Sequence, residues 1–406
     1  MMSGRLLTPF RLLVVVIVTG LSAIMLRPDV LATMGVSFHQ QWFLDSYAIL
    51  AANDAAQAGL DTTHENPLDP LNRPHVYSDW WLGLRRLGLT RANNFTFGVI
   101  CGLAFLVVAL AGLRPATYRA AAFLAAAFLA PPTLIALQRA NNDLLIFVLL
   151  GAGLLGLRAG SSPARLAWFG GLVILATGLK YYPLAAAGAL LTALPWRRST
   201  LWAFLLTAGG ALFALFSERT SIDRGMFVLP QTIYEFGAPV LWRDLALGRG
   251  ALAGLTLALF GLAVAGLWRQ GQVTGLADEA RGPEGERLLF AVGACLLAGC
   301  FLAGTSYVYR WIFGLWLWPW LWREAAAGRT PARVALVFWL VSIWADGALC
   351  LVVNSLGLGY RPGAGWRIVT QAITWGLMVL LAVWLLEGII AQARARFRPV
   401  ENLPTA

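Results

Sequence analysis

Long apolar runs follow one another along most of this 406-residue chain. An α-helix rises 1.5 Å per residue, so about 20 apolar residues are needed to cross the hydrocarbon core of a bilayer. A first run ends at Leu26, and eleven others follow the polar segment behind it. They cover about residues 94–113, 117–136, 142–157, 164–179, 182–196, 200–217, 249–268, 288–304, 310–322, 333–352 and 367–390. The runs predict an all-α, polytopic transmembrane helix bundle of about twelve spans.

Three of these runs are short, namely 142–157, 182–196 and 310–322, and we expect one of the short runs to be tilted or re-entrant. The run that ends at Leu26 has no small-x-small cleavage site after it, so we interpret it as an uncleaved first span. The chain is then a single integral-membrane domain over residues 1–406.

The composition excludes several other classes of protein. Charged residues make up 13% of the chain, about half of the 25% that covers a typical soluble protein. This excludes a soluble enzyme, a disordered protein and a disulfide scaffold. The four cysteines lie inside apolar runs without metal-ligand spacing, and we interpret them as packing residues. The net charge of +11 fits the basic cytoplasmic ends of a membrane protein, and no nucleic-acid-binding motif accompanies it, so no nucleic-acid partner is expected.

The basic residues also predict an orientation. If the N-terminus is cytoplasmic, every short cytoplasmic connection has at least two arginines, whereas most short outer connections have one basic residue. We therefore expect N-in, C-in topology of a multi-pass membrane protein. Residues 28–93 become a first outer loop with interfacial amphipathic helices. Residues 218–248 become a second outer loop, and residues 269–287 a charged, glycine-rich cytoplasmic loop.

Unusual polar clusters fall on the outer side under this topology. They are LQRANNDLL, TGLKYYP, TSYVYRW and the two outer loops. Several turns that each carry a charge with Asn or Tyr exceed what membrane anchoring needs, so we expect them to line one cavity. Its candidate binding residues are Arg139, Asn141, Asn142, Asp143, Lys180, Tyr181, Tyr182, Tyr309 and Arg310.

Each cluster has a functional and a structural interpretation, and the sequence leaves both open. Lys180 is the sole lysine, and its compact ammonium suits a phosphate, but it also suits a snorkelling anchor. Arg139 and the residues that follow it precede a helix, so they can bind a ligand, cap the helix, or do both. Arg310, with Tyr307 and Tyr309, can clamp a phosphate or pyrophosphate, or anchor the chain at the interface.

Asp45 is the sharpest catalytic candidate, because it lies on the amphipathic segment after span one beside Trp42, Phe43 and Tyr47. Taken alone, its position favours an ordinary solvated carboxylate, as is expected for Asp54. The weaker alternatives are Asp29, Asp79 and Glu235, and Asp346 lies inside a span, where an unpaired charge is expensive.

The pieces DSYAILAANDAAQAG, QRANNDLLIF, LKYYPL and YVYRWIF, in this order and on one side, resemble the GT-C class of integral-membrane glycosyltransferases. The closer resemblance is to glycosyltransferase family 87, the polyprenyl-phosphate-mannose-dependent mannosyltransferases. It covers roughly residues 40–315. The family has Glu-Arg-Gly-Asn where this chain has Gln138, Arg139, Ala140 and Asn141, so position 138 lacks the family's acid.

The resemblance implies an inverting transfer of a hexose, mannose favoured, from a polyprenyl-phosphate-sugar donor. The acceptor would be a lipid-linked or cell-envelope glycan or glycolipid among membrane lipids, at the periplasmic or exterior face of the bacterial inner (plasma) membrane. Asp45 would be the general base, and Lys180, Arg139 and Arg310 would stabilise the departing phosphate. No cofactor and no obligatory metal are expected. The rival hypotheses are a transporter or flippase of a lipid-linked or small anionic substrate, a GT-C enzyme for another sugar, and a non-catalytic scaffold subunit.

Overall fold

Helix accounts for nearly all regular structure in the computed structural model, which describes residues 7–36, 41–217, 234–242, 249–271, 282–358 and 364–397. The α-helices are α1 (Pro9–Leu26), α2 (Asp29–Thr33), α3 (Leu44–Gln57), α4 (Asn94–Gly112), α5 (Tyr118–Phe128), α6 (Pro131–Arg139), α7 (Asp143–Leu157), α8 (Pro163–Leu179), α9 (Gly188–Ala193), α10 (Arg198–Ser217), α11 (Arg249–Arg269), α12 (Glu284–Ala303), α13 (Trp318–Ala326), α14 (Thr330–Ser355) and α15 (Ala364–Phe397). Shorter 3-10 helices cover Asp79–Leu87, Arg91–Asn93, Tyr182–Ala187, Ala238–Trp242 and Val308–Leu317. Strands β1 (Glu235–Phe236) and β2 (Ser306–Tyr307) form one antiparallel pair. The predicted all-α class is confirmed.

The helices account for each of the twelve predicted runs, but not all of them are long. Among the described residues, seven helices are long and apolar enough to cross a membrane, and an eighth span arises if α5 and α6 count as one. Those two helices are bent by 52° at the break before Pro131, where a proline cannot continue the hydrogen-bond ladder of α5. The helices at 143–157, 163–179 and 182–193 are shorter. The count of twelve spans stays a prediction.

The helices connect two opposite ends of the bundle. The connections around residues 113–117, 158–162 and 194–197 lie at one end, where Arg158 donates a hydrogen bond to the carbonyl of Ala111, and Glu286 pairs with Arg323. The turns at 140–142, 180–181 and 304–307 lie at the other end, together with residues 41–93. We call the latter the site end. This arrangement agrees with the alternation that the apolar runs predict.

The first loop folds onto the site end of the bundle. Helix α3 buries Leu44, Ile49, Leu50 and Ala55, so its apolar positions face protein. The LDTTHENPLDPLNRP segment of this loop has no helix or strand, because its prolines interrupt both. The Asp79–Leu87 helix is held by Trp81, whose Nε1 donates to the carbonyl of Leu179 at 3.0 Å. An interfacial position of these helices stays a prediction.

Parts of the other two predicted loops lie outside the described residues, namely 218–233, 243–248 and 272–281. The described part of the second outer loop includes β1, and its pairing with β2 joins that loop to the turn that carries Tyr309. The predicted cytoplasmic loop ended at residue 287, but α12 already begins at Glu284. Glu284 and Glu286 in its first turn interact favourably with the helix dipole, so their charge does not exclude helix.

Candidate functional site

Five separate pieces of the chain meet at the site end to form one charged cluster. They are the first turn of α3, the loop at 69–77, the turn between α6 and α7, the segment that begins after α8, and the segment that follows β2. The turn between α6 and α7 is tight because Ala140 adopts a left-handed conformation with φ of 42°. This conformation ends α6 at Arg139, and α7 starts four residues later at Asp143, so side chains that are close in sequence reach different partners.

Asp45 is buried and is held by groups from two other segments. Arg139 forms a two-pronged ion pair with it, with Nη2 at 2.7 Å and Nε at 3.0 Å from the two carboxylate oxygens. Asn141 donates from Nδ2 at 2.6 Å, and Arg73 lies at 3.4 Å. A carboxylate that leaves water needs such partners, because an unpaired buried charge is very costly. Asp45 is therefore not the solvated residue that the sequence also allowed.

Asp143 is the centre of the second half of the cluster and is fully buried. Its Oδ1 accepts from Lys180 Nζ at 2.5 Å and from the Tyr182 hydroxyl at 2.8 Å. Arg310 Nε lies 3.4 Å from the other oxygen. Lys180 also donates to Asn142 Oδ1 at 2.6 Å. Asp143 thus lies in the first turn of α7, where the helix dipole favours a carboxylate, and it binds cations from that position.

Aromatic rings surround Lys180 and Arg310, the two cations that bind Asp143. The Arg310 guanidinium lies 3.8 Å from the centre of the Tyr182 ring, within the range of a cation–π contact. Lys180 Nζ lies 5.5 Å from the Tyr309 ring centre, and Tyr309 stacks on Tyr307 at 5.6 Å. These aromatic contacts and the carboxylate lessen the cost of burying two cations side by side. Tyr181 packs edge-on against Tyr182 and is 37% exposed, so it lies at the margin.

Asn141 joins the two halves of the cluster. Its Nδ2 donates to Asp45, while its Oδ1 accepts from the backbone N–H of Asp143 at 3.0 Å. Four cations, Arg73, Arg139, Lys180 and Arg310, face the three carboxylates of Asp45, Asp69 and Asp143. The cluster therefore carries one excess positive charge, which suits it to an anionic ligand.

Burial and pairing act on the titration of these groups in opposite directions. Burial tends to raise the pKa of Asp45, but the ion pair with Arg139 and the hydrogen bond from Asn141 outweigh it and leave this pKa below its ordinary value. Burial lowers the pKa of Lys180 to about 8, although the Asp143 carboxylate opposes the change. Burial also raises the pKa of Tyr77, so its phenol stays protonated near neutral pH.

Two buried amide atoms in the cluster have no hydrogen-bond partner, namely Gln138 Oε1 and Asn142 Nδ2. Gln138 stands where the resembling family has glutamate, and its Nε2 donates weakly to the carbonyl of Gln41 at 3.4 Å. A buried polar atom without a partner is rare in folded proteins. The two atoms are therefore available to a polar group of a ligand.

Three of the other carboxylates, Asp54, Asp29 and Asp346, have partners outside this cluster. Asp54 pairs with Arg91 at 2.7 Å, and Asp29 pairs with Arg27 on the surface. Asp346, within α14, accepts from the Trp366 indole of α15 at 2.8 Å, so this carboxylate joins two candidate spans. Glu235 lies in β1, and Asp79 begins a 3-10 helix.

Sequence reasoning missed Arg73, Asp69 and Tyr77, which also belong to the cluster. Arg73 bridges Asp45 and Asp69, and Tyr77 is close enough for the charges of Asp45 and Arg139 to act on its phenol. The local signal was weak, because these residues lie in a proline-rich loop of a kind that is ordinarily solvated. The local signal in the sequence was the pair of opposite charges in DPLNRP, where Asp69 and Arg73 are four residues apart.

No group of His, Cys, Asp and Glu side chains suited to a metal ion occurs among the described residues. Comparison with family models, with curated proteins and with solved structures produced no match. The chemistry of this site must therefore be argued from its own residues.

Proposed function

We propose that this chain is a membrane glycosyltransferase. It moves a hexose, mannose favoured, with inversion from a polyprenyl-phosphate-sugar donor to a lipid-linked or cell-envelope glycan on the outer face. The observation that carries the proposal is the presence, in one buried cluster, of a carboxylate that can accept a proton and several cations that can bind a phosphate. The long apolar helices around the cluster would accommodate the lipid tail of the donor.

The reaction needs one base and one stabilised leaving group. An acceptor hydroxyl attacks the anomeric carbon as the bond from that carbon to the phosphate oxygen breaks. Asp45 accepts the hydroxyl proton, and the polyprenyl phosphate leaves with the electron pair of the broken bond. Lys180, Arg139 and Arg310 stabilise the charge on the phosphate. A lipid phosphate is already a good leaving group, so the step needs no metal.

The existing ion pairs constrain how the donor binds. Arg139 now bonds Asp45, and Lys180 now bonds Asp143, so the donor phosphate must share or replace these carboxylate contacts. Release of Arg139 toward the phosphate would remove the strongest partner of Asp45 and make it a better base. In this proposal, donor binding therefore precedes acceptor deprotonation.

The test is an assay of purified protein with a panel of radiolabelled polyprenyl-phosphate sugars and a membrane lipid extract. We expect transfer of label from one donor to a larger lipid or glycan product, and loss of this transfer in Asp45→Asn. Absence of transfer from every donor, by wild-type protein that binds polyprenyl phosphate, would contradict the enzyme hypothesis.

A transporter or flippase is the second candidate, and one observation favours it. Helices α5 and α6 form a broken pair next to the charged cluster, and discontinuous helices are typical of transporter binding sites. The two functions differ in the product. Proteoliposomes that move a labelled lipid-linked sugar between leaflets without forming a new glycosidic bond would support transport.

A further inference from the structure

The loop between α3 and the Asp79–Leu87 helix, residues 58–78, is fastened to the start of α3 by one arginine. Arg73 bonds the Asp69 carboxylate at 2.7 and 3.0 Å, within the loop itself. Its Nη2 also donates to the carbonyl of Leu44 at 2.8 Å, and its Nη1 lies 3.4 Å from Asp45. One guanidinium thus joins the loop, the first residue of α3 and the proposed base.

The partners of Arg73 make this a rigid link. Asp69 is buried and also accepts from the backbone N–H of Leu71 at 2.9 Å, so its carboxylate is held in place. A planar guanidinium that bonds several fixed acceptors loses less freedom per bond than a lysine would. The helix begins without a side-chain cap, at Phe43 in a left-handed conformation. Its first turn therefore depends on contacts from elsewhere in the chain.

A second arginine holds the loop at the other end of α3 and provides a matched comparison. Arg91 Nε bonds Asp54 at 2.7 Å, and its Nη1 lies 3.4 Å from the carbonyl of Leu68. Arg91 therefore ties the same loop to the same helix, and its carboxylate partner is not the proposed base. A comparison of variants at Arg73 and Arg91 therefore separates the effect of holding the loop from the effect of contacting Asp45.

We propose that Arg73 is a positioning residue, which holds the Asp45 carboxylate in place and couples it to the fold of the 58–78 loop. This inference rests on the proposed function, because it takes Asp45 to be the base. The other groups that interact with Asp45 are Arg139 at the end of α6, Asn141 in the turn after it, Tyr77 from the loop, Tyr309 and Lys180. Asp143 is linked to Asp45 through Asn141. When Arg139 turns toward the donor, Arg73 remains as the cation beside the carboxylate.

The experiment compares Arg73→Gln, Arg73→Lys and Arg91→Gln. In Arg73→Gln we expect kcat to fall about 10- to 100-fold with little change in donor KM, because the carboxylate loses the charge-assisted contact that holds it in place, and this loss outweighs the gain in basicity. Loss of a neighbouring cation raises the pKa of Asp45, so the acid limb of the pH–kcat profile should move up by about one pH unit. Arg73→Lys keeps the charge and should restore the position of that limb. Arg91→Gln should leave it where it is in the wild type.

Different outcomes overturn the inference. If the acid limb of the pH–kcat profile does not move in Arg73→Gln, Arg73 only anchors the loop. If donor KM rises tenfold while kcat is unchanged, Arg73 binds the donor instead. Hydrogen exchange provides a test that does not need transferase activity. Arg73→Gln should raise exchange of the amides at 45–49, and Arg91→Gln should raise it mainly at 54–57. Equal exchange at 45–49 in both variants would overturn the coupling even if the chain proves to transport rather than transfer.

Discussion

At the residue scale, the chemistry of this chain depends on two buried carboxylates with different sets of partners. Asp45 is bound by two arginines and an asparagine, while Asp143 is bound by a lysine, an arginine and a tyrosine. Removal of one member of such a pair leaves an uncompensated buried charge, which is strongly destabilising. Variants that keep shape are therefore the informative ones.

Replacement of Asp45 by Asn keeps the shape of the side chain but removes its ability to accept a proton. We expect turnover to fall about 10²–10⁴-fold with donor affinity nearly intact. The matched control is Asp54→Asn, since Asp54 is also paired with an arginine and lies on the same helix. Turnover and donor affinity should be measured for both variants. Normal turnover in Asp45→Asn would mean that the base is elsewhere.

The lowered pKa of Lys180 predicts that donor binding depends on pH. Its pKa is near 8, and only the protonated form is a cation, so kcat/KM for the donor should fall as pH rises through about 8. In Lys180→Arg this alkaline limb should disappear, because a guanidinium keeps its proton there. Lys180→Arg should also be slower, since a planar fork does not replace a point charge.

Lys180→Gln tests the contact itself. We expect a higher donor KM and a lower kcat, with a combined loss of about 10- to 100-fold at pH 7. An alkaline limb that persists in this variant would belong to another group. Full activity would show that Lys180 serves only to anchor the chain and to neutralise Asp143.

At the scale of elements, the turn between α6 and α7 decides which side chains enter the cluster. Ala140 in its left-handed conformation places Arg139 at the end of one helix and Asn141 before the next. For a residue with a Cβ, that conformation costs about 1–2 kcal/mol of conformational free energy. The resembling family has glycine there, and this chain keeps the turn at the cost of strain.

The strain at Ala140 predicts a stabilising substitution. Ala140→Gly should raise the midpoint of thermal unfolding in detergent, because glycine adopts positive φ without a Cβ clash. The control is Ala104→Gly within α4, which should lower stability by about 0.5–1 kcal/mol, as glycine does in a helix interior. A lower midpoint in Ala140→Gly would show that the turn is not strained in the protein.

At the scale of the whole molecule, the turns that carry the cluster share one end of the bundle, and the arginine-rich connections share the other. The structure determines which segments lie at the same end, and the distribution of arginines predicts that the site end is outside. This placement matters for the proposed function, because it decides which lipid-linked donor pool the site can reach.

Cysteine labelling can test this orientation. In a cysteine-free background, Leu60→Cys in the exposed first loop should react with an impermeant thiol reagent in intact cells. Ala327→Cys, exposed at the opposite end, should react only after the membrane is opened. The reverse pattern would invert the predicted topology, and labelling of both positions in intact cells would argue that the two ends are not on opposite sides.

The sequence by itself determined the long helices and the candidate turns. Apolar runs encode helices locally, since a helix makes its hydrogen bonds within one segment, and every run proved to contain helix. Only the tertiary structure decided the partners. Asp45 and Asn141 are 96 residues apart, and Arg73 belongs to a proline-rich loop that looked solvated. Such contacts depend on how the helices pack and where the loop folds, and no local pattern of residue types records that.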